Sequence, residues 1–342
     1  MTRAQIPLAT TLVPSTADRP SRILVLGGTG FVGQSVCEAL VERAGGGSAR
    51  TRVPTRRIAR ARHLQLLPTV ETVQADVHDE AALGRLLLGM DAVVNLVAIL
   101  HGSERAFERT HAELPRSLVR ACKTAGVSRV VHVSALGVDG TGTGTEGGSR
   151  YQRSKAKGEA VLRESGLAVT ILRPSVIFGE RDRFLNLFAS MQGIAPFVPL
   201  GSGRARFQPV WVEDVAHAIV ACLDDPTTVG ETIECTGPAV FTLEELVRVA
   251  GRWSGRPRPV LSLPAPLARL QAAAMELLPG EPILSRDNLD SMRRDNVASG
   301  TLPGLGRLGI EATPLEAVAP SYLGHAGGEA RLEAWRARAR RT

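Results

Sequence analysis

Tyr151 and Lys155 stand four residues apart in a stretch that reads as a helix. Residues at i and i+4 share a helix face, so the phenol and the ammonium project to the same side. A cation beside a phenol favours phenolate, and the phenol can then serve as acid or base near neutral pH. The pair stands out against the composition, because the chain has only two tyrosines, Tyr151 and Tyr322, and three lysines, Lys123, Lys155 and Lys157. The blander alternative is a surface tyrosine beside a solvated lysine. Upstream, the apolar run Arg129–Val133 reads as a strand that delivers Ser134 at its C-terminal end.

Chemistry at a phenol needs something to react with, and residues 22–33 supply the candidate. The apolar run Ile23 to Leu26 reads as a buried parallel strand. It breaks into Gly27-Gly28-Thr29-Gly30-Phe31-Val32-Gly33, and an amphipathic pattern of Val32, Val36 and Leu40 follows. Strand, tight turn and helix in this order present a helix N-terminus to a phosphate. Gly27 or Gly28 permits the turn, Gly30 lets backbone approach a pyrophosphate, and Gly33 lets the helix pack close. A bare glycine pattern is weak, but here it has the context that marks a dinucleotide site.

Thr51–Thr55 reads as the second strand, with Pro54 weakening it or moving it toward an edge. NAD-selective sites place an acid at the end of this strand for the ribose 2′-hydroxyl. Here the strand ends in Arg56-Arg57 with no acid nearby. A 2′-phosphate suits a guanidinium fork, so NADP(H) is expected in preference to NAD(H), Arg56 ahead of Arg57. The alternative is a solvated basic face. Val70–Ala75 reads as the third strand and leads to Asp76-Val77. An acid there commonly meets the adenine amino group; a helix N-cap is the competing role, which Asp79 could equally fill. Ala92–Ala98 reads as the fourth strand, ending over the cofactor with Leu96, Val97 and Ala98, and His101 follows in the loop.

Arg105–Ala125 carries an apolar stripe and reads as one helix closed by Gly126. Gly137–Gly148 reads as a mobile loop before the Tyr151 helix. Val169–Leu172 is a sixth strand, leading into Arg173-Pro174-Ser175-Val176. Later segments thin out: Phe207–Trp211 reads as one short strand, Val212–Leu223 as a helix, Thr232–Cys235 as a strand, and Thr242 caps the helix Leu243–Trp253. Leu267–Leu278 reads as a helix that docks on the chain's own core, with a partner or membrane surface as the alternative.

The whole is an α/β chain, a Rossmann-type doubly wound parallel sheet with a smaller C-terminal α/β subdomain built from later segments. Residues 1–20 read as a flexible leader and 21–180 as the NAD(P)-binding core. Residues 181–325 read as a mixed substrate or partner subdomain, with some elements returning to the core, and 326–342 as a basic tail. Cys37, Cys122, Cys222 and Cys235 are scattered singly, which suits reduced cytoplasmic thiols and no metal site. The net charge of +7 is concentrated at Arg50–Arg62 and in the tail. No recognition motif or aromatic platform accompanies it, so small phosphates or lipid headgroups are expected rather than nucleic acid.

Together these residues resemble the short-chain dehydrogenase/reductase superfamily in its extended or atypical branch. The glycine turn, Asp76, Asn95-Leu96-Val97-Ala98, Ser134, Tyr151/Lys155 and Arg173-Pro174 fall in that family's order. Residues 132–137, 171–179, 207–215, 285–288 and 292–297 further resemble the nucleotide-binding accessory subunit of respiratory complex I and its bacterial relatives, over residues 21 to about 325. The resemblance implies NADP(H), with Ser134 polarising a carbonyl, Tyr151 exchanging its proton and Lys155 on the nicotinamide ribose. It puts the Val176 backbone near the carboxamide and counts Pro174 among the cofactor-binding residues. It implies hydride transfer at a carbonyl or hydroxyl of an unknown small molecule, with a link to quinone metabolism. The alternative it implies is a non-catalytic NADPH-bearing subunit or assembly factor, peripheral on the inner face of the membrane.

Overall fold

The computed structural model describes residues 19–45, 47, 49–138, 148–277 and 284–324. Most of the expected leader, the heart of the Gly137–Gly148 loop and the basic tail lie outside the described residues. The apolar run after Ser21 forms β1 (Arg22–Leu26), followed by β2 (Arg50–Thr55), β3 (Val70–Gln74), β4 (Ala92–Asn95), β5 (Arg129–Val133) and β6 (Ala168–Pro174). The short strands β7 (Ile177–Phe178), β8 (Val198–Leu200), β9 (Arg206–Phe207) and β10 (Val210–Trp211) come next. Then β11 (Thr232–Cys235) returns to the main sheet, and β12 (Phe241–Thr242) and β13 (Val260–Ser262) are short again. The main sheet is parallel and seven-stranded, ordered β3-β2-β1-β4-β5-β6-β11. Strand order reverses between β1 and β4, the crevice where doubly wound sheets bind ligands.

Side chains alternate across β1 because a strand has period two. Ile23 and Val25 pack with Val36, Cys37 and Leu40 of α1 (Phe31–Ala44) on one face. Leu24 and Leu26 meet the opposite layer, formed by α2 (Glu80–Leu87) and, beyond the short α3 (Glu104–Glu108), by α4 (Leu114–Ala125) and α5 (Arg150–Arg163). After α6 (Leu185–Ile194), α7 (Val212–Asp224) joins the α1 face through Val215, Ile219 and Cys222. The remaining helices are α8 (Leu243–Trp253), α9 (Ala265–Glu276), α10 (Arg286–Ser291) and α11 (Leu315–Leu323). A second core unites Phe178, Leu185, Val198, Leu246, Val247 and Leu315.

Four local readings change. Pro54 sits in an interior strand, paired to Val73 of β3. Its missing N–H faces β1, whose ladder with β2 ends at Leu24 and Arg52, so no bond is lost. The fourth strand stops at Asn95 and not at Ala98, because the Asn95 side chain accepts the Val97 N–H at 3.2 Å and turns the chain. The segment 207–211 divides between two pairings, β9 with β12 and β10 with β7. The helix expected over 105–125 is interrupted by a π-turn at Arg109–Glu113. Pro115, one residue into α4, cannot donate to the His111 carbonyl four positions back. Helix α5 comes up against that carbonyl instead, and a Cβ at Gly158 would lie 2.1 Å from it.

Candidate functional site

The nucleotide end is made of backbone. Gly27 takes φ +85°, a conformation open to glycine, and its carbonyl accepts the Gly30 N–H at 3.0 Å. A Cβ at Gly33 would lie 2.4 Å from the Gly27 oxygen, and one at Gly28 would lie 2.7 Å from a Val53 methyl. Glycine therefore lets α1 and β2 close on the turn that carries Thr29. The first turn of α1 has neither an acidic residue nor a side-chain cap. The amides of Phe31 and Val32 are first-turn donors that the helix cannot satisfy, at the positive end of its dipole. A cradle of this kind fits a dinucleotide pyrophosphate.

Beyond β2, Arg56 and Arg57 are exposed. Asp79, not Asp76, caps α2, accepting the Ala81 and Ala82 amides at 3.0 and 3.3 Å. The Asp76 side chain accepts the His78 N–H at 3.1 Å, and Val77 is half-buried beside it. Burial lowers the His78 pKa, and the charges of Arg109 and Arg56 push it the same way, opposed by Asp76 and Glu113. Arg109 is thus close enough to His78 for its charge to act there. Leu96 and Val97 are half-buried and Ala98 is exposed, immediately past β4.

The chemical end is made of side chains from distant segments. Ser149 and Gln152 form a reciprocal capping box at the start of α5, which explains why the helix begins where it does. Lys155 is 2% exposed and donates to the Val133 carbonyl at 2.8 Å, which ties α5 to the residue preceding Ser134. Burial brings the ammonium down to about 8, with Glu159 opposing. Glu159 is itself buried and accepts Arg173 Nε and Nη2 at 2.9 and 2.6 Å. Ser134 is 4% exposed, and its Oγ has no partner among the described residues. An unpaired buried hydroxyl is costly and calls for an explanation; a ligand oxygen would supply the missing partner.

Tyr151 departs from the simple expectation. Its ring packs edge-on against His111 and Phe107, with centroids 5.5 and 6.3 Å away. Burial pushes the phenol up to about 12. The Lys155 charge is felt instead at two histidines. His111 falls to about 3, chiefly by burial and then through Lys155, and His132 falls well below its ordinary value for the same reasons. Both are neutral near pH 7. His111 Nε2 accepts the Ile99 N–H at 3.1 Å, so its Nδ1 carries the proton and donates to Ser154 Oγ at 2.8 Å. Ser154 in turn donates to the Tyr151 carbonyl at 2.8 Å. Asn95 donates to His132 Nδ1 at 3.2 Å.

Pro174 is buried, and its carbonyl accepts the Leu136 N–H at 2.9 Å. The Val176 backbone is fully engaged: its N–H donates to Asn296 Oδ1 at 3.1 Å, and its carbonyl accepts from Val210 at 3.0 Å. It has no free donor for a carboxamide. His111, His132 and Ser154 were given no role from the sequence, and Asn95 entered only within the string Asn95-Leu96-Val97-Ala98. The one available signal was a histidine four residues ahead of a proline within a helical stripe.

A family model described as the NAD dependent epimerase/dehydratase family matches residues 23–235. Over 299 residues the chain is 33% identical to the mitochondrial NADH dehydrogenase (ubiquinone) 1 alpha subcomplex subunit 9 of Mus musculus, covering 85% of this chain and 77% of that one. It is 27% identical over 246 residues to the ceramide reductase of Caulobacter vibrioides, covering 71% and 74%. Among solved structures, a double mutant of the dTDP-glucose 4,6-dehydratase DesIV from Streptomyces venezuelae, with NAD bound, matches with TM-score 0.70 and 23% identity, covering 88% and 95%.

Proposed function

This chain belongs to the NAD dependent epimerase/dehydratase family, and from that premise we propose that it is an NADP(H)-dependent reductase of a carbonyl or quinone oxygen. The observation that carries the reading is Ser134, a buried hydroxyl just past β5 without a partner among the described residues. The dinucleotide, when bound, supplies the hydride donor or acceptor. The Gly27–Gly33 turn and the Phe31 and Val32 amides hold its pyrophosphate. Asp76 and Val77 meet the adenine, Arg56 with Arg57 reads the 2′-phosphate, and Leu96 to Ala98 with Pro174 line its course. Ser134 donates a hydrogen bond to the substrate oxygen and Tyr151 gives it a proton. A phenol held up near 12 keeps its proton at neutral pH, which favours the acid role and hence reduction. Lys155, fixed on Val133, keeps further N–H groups for the nicotinamide ribose.

Thermal shift gives the first test: NADPH should raise the melting temperature more than NADH, and equal shifts would remove the argument from Arg56. Turnover is then followed as NADPH absorbance with a short-chain quinone or an aldehyde panel as oxidant. Loss of NADPH-consuming activity across the whole panel, in a protein that binds NADPH, favours the second reading.

That second reading is a non-catalytic NADPH-bearing subunit or assembly factor of a membrane respiratory complex. It is favoured by the 33% identity to the mitochondrial subunit and by the exposure of Leu267, Leu270 and Leu277 on and just past α9. Among the described residues no helix is long and apolar enough to cross a membrane, so the association would be peripheral, on the inner face. Purification from the native cell, with mass spectrometry of bound cofactor and partners, separates the two. Recovery free of respiratory subunits favours the cytoplasmic enzyme.

A further inference from the structure

Residues 285–296 take no part in the reading above, yet one end of this strip holds the start of the Tyr151 helix and the other the turn after β6. At one end Asp287, 6% exposed, accepts the Arg150 N–H at 2.7 Å and the Tyr151 N–H at 3.2 Å. These are the first two amides of α5, donors the helix leaves unpaired, and a carboxylate there is favoured by the helix dipole. The third amide, of Gln152, is taken by Ser149. Asp287 therefore completes the cap of the helix that carries Tyr151 and Lys155. Asp287 is itself set in place by a capping box in which Ser285 and Asn288 bond reciprocally.

At the other end Asn296 Oδ1 accepts Ser175 Oγ at 2.6 Å and the Val176 N–H at 3.1 Å. Those two residues form the turn after β6. Asn296 is anchored through its own backbone, donating to Arg206 at 2.8 Å and accepting from Gln208 at 3.0 Å. A residue held at both backbone groups acts as a fixed support and not as a movable plug. Leu136 N–H reaches the Pro174 carbonyl at 2.9 Å and Ser134 N–H the Leu172 carbonyl at 2.7 Å, so Ser134 lies beside the end of β6, next to the turn that Asn296 holds.

We infer that residues 285–296 are a strut setting the separation between the Tyr151 helix and the turn after β6, and that Asp287 and Asn296 are positioning residues for the nicotinamide half of the dinucleotide site. The inference rests on the functional reading above. A strut across the chemical end should leave the adenosine half, built on Gly27–Gly33 and Arg56, untouched.

The test compares NADPH with 2′-phospho-ADP-ribose, the same molecule without its nicotinamide ring, by titration of the full chain. Wild type should bind both; failure to bind either refutes the dinucleotide reading and not the strut. Asn296→Ala and Asp287→Ala should each weaken NADPH by about tenfold, the worth of a hydrogen bond or two, and leave 2′-phospho-ADP-ribose within about twofold. Asn296→Asp keeps the acceptor oxygen for Ser175 and Val176 and should restore NADPH binding. The fluorescence of bound NADPH should change in the alanine variants and return in Asn296→Asp. Should an alanine variant not fold, Asn296→Ser and Asp287→Asn carry the same comparison. Equal weakening of both ligands, or no change in either, overturns the strut. A gain in NADPH affinity in Asn296→Ala also overturns it, since Asn296 would then be occupying the carboxamide's place.

Discussion

The two ends of the proposed site are built by different means. At the nucleotide end, seven consecutive residues, Gly27 to Gly33, make the cradle from their own backbone. At the chemical end, Tyr151 is held by Asp287 and the His111 ring, Lys155 by the Val133 carbonyl, and the turn after β6 by Asn296, groups that lie far apart in the chain. The first arrangement depends on what the residues lack, namely Cβ atoms and competing carboxylates. The second depends on partners that arrive only after folding. A local site tolerates change elsewhere; an assembled one transmits it.

The sharpest way to separate the ends is Tyr151→Phe. It should lower turnover by roughly a hundredfold to ten-thousandfold, the span of a general acid, with NADPH affinity unchanged in a binding titration. Weakened NADPH binding would show the two ends to be one unit. Next in size is Glu159→Gln, which leaves the buried Arg173 guanidinium with half its partner. A broken buried pair costs about 3 kcal/mol or more, read by urea unfolding, and Lys155 chemistry should suffer with it. Gly33→Ala forces a Cβ against backbone and should cost about 2 kcal/mol as overpacking, together with the NADPH-induced rise in melting temperature. Retention of that rise would mean the turn does not carry the pyrophosphate.

Acid provides a probe of the assembled end alone. Unfolded histidine takes up a proton near pH 6.5, whereas burial and Lys155 keep folded His111 neutral down to about 3 and hold His132 well below its ordinary value. The unfolded state therefore binds more protons below about pH 6.5, and stability falls as pH drops, by about 1.4 kcal/mol per unit for each histidine. For His111 the loss levels off only near pH 3. Urea midpoints at pH 7.5, 6.5 and 5.5 measure the slope, and His111→Asn should make it shallower. The smallest effect belongs to the exposed Arg56. Arg56→Ala should reduce the preference for NADPH over NADH by about tenfold, one charge-assisted contact, without changing stability.

The difference between the ends also governs what could be read before folding. β1, the glycine turn, α1, the Thr242 cap and the parallel strands followed from local pattern, since period, turn chemistry and capping act within a few residues. The interruption at Arg109–Glu113 was hidden because Pro115 suits the first turn of α4 while disturbing the turn before it. The expectation that Lys155 would lower Tyr151 relied on spacing along one helix. It failed because the ammonium turns to the Val133 carbonyl, and burial then dominates the phenol.

The sequence by itself determined the doubly wound parallel sheet, the glycine turn after β1 and the family, because glycine spacing and apolar periodicity act through neighbours along the chain. Only the tertiary structure decided that Ser134 Oγ is buried without a partner among the described residues, that Asp287 caps α5 and that Asn296 holds the turn after β6. The last two contacts join segments more than a hundred residues apart, 136 for Tyr151 to Asp287 and 120 for Val176 to Asn296. Burial and partner geometry at that range are set when the layers pack, and no residue type or spacing encodes them beforehand.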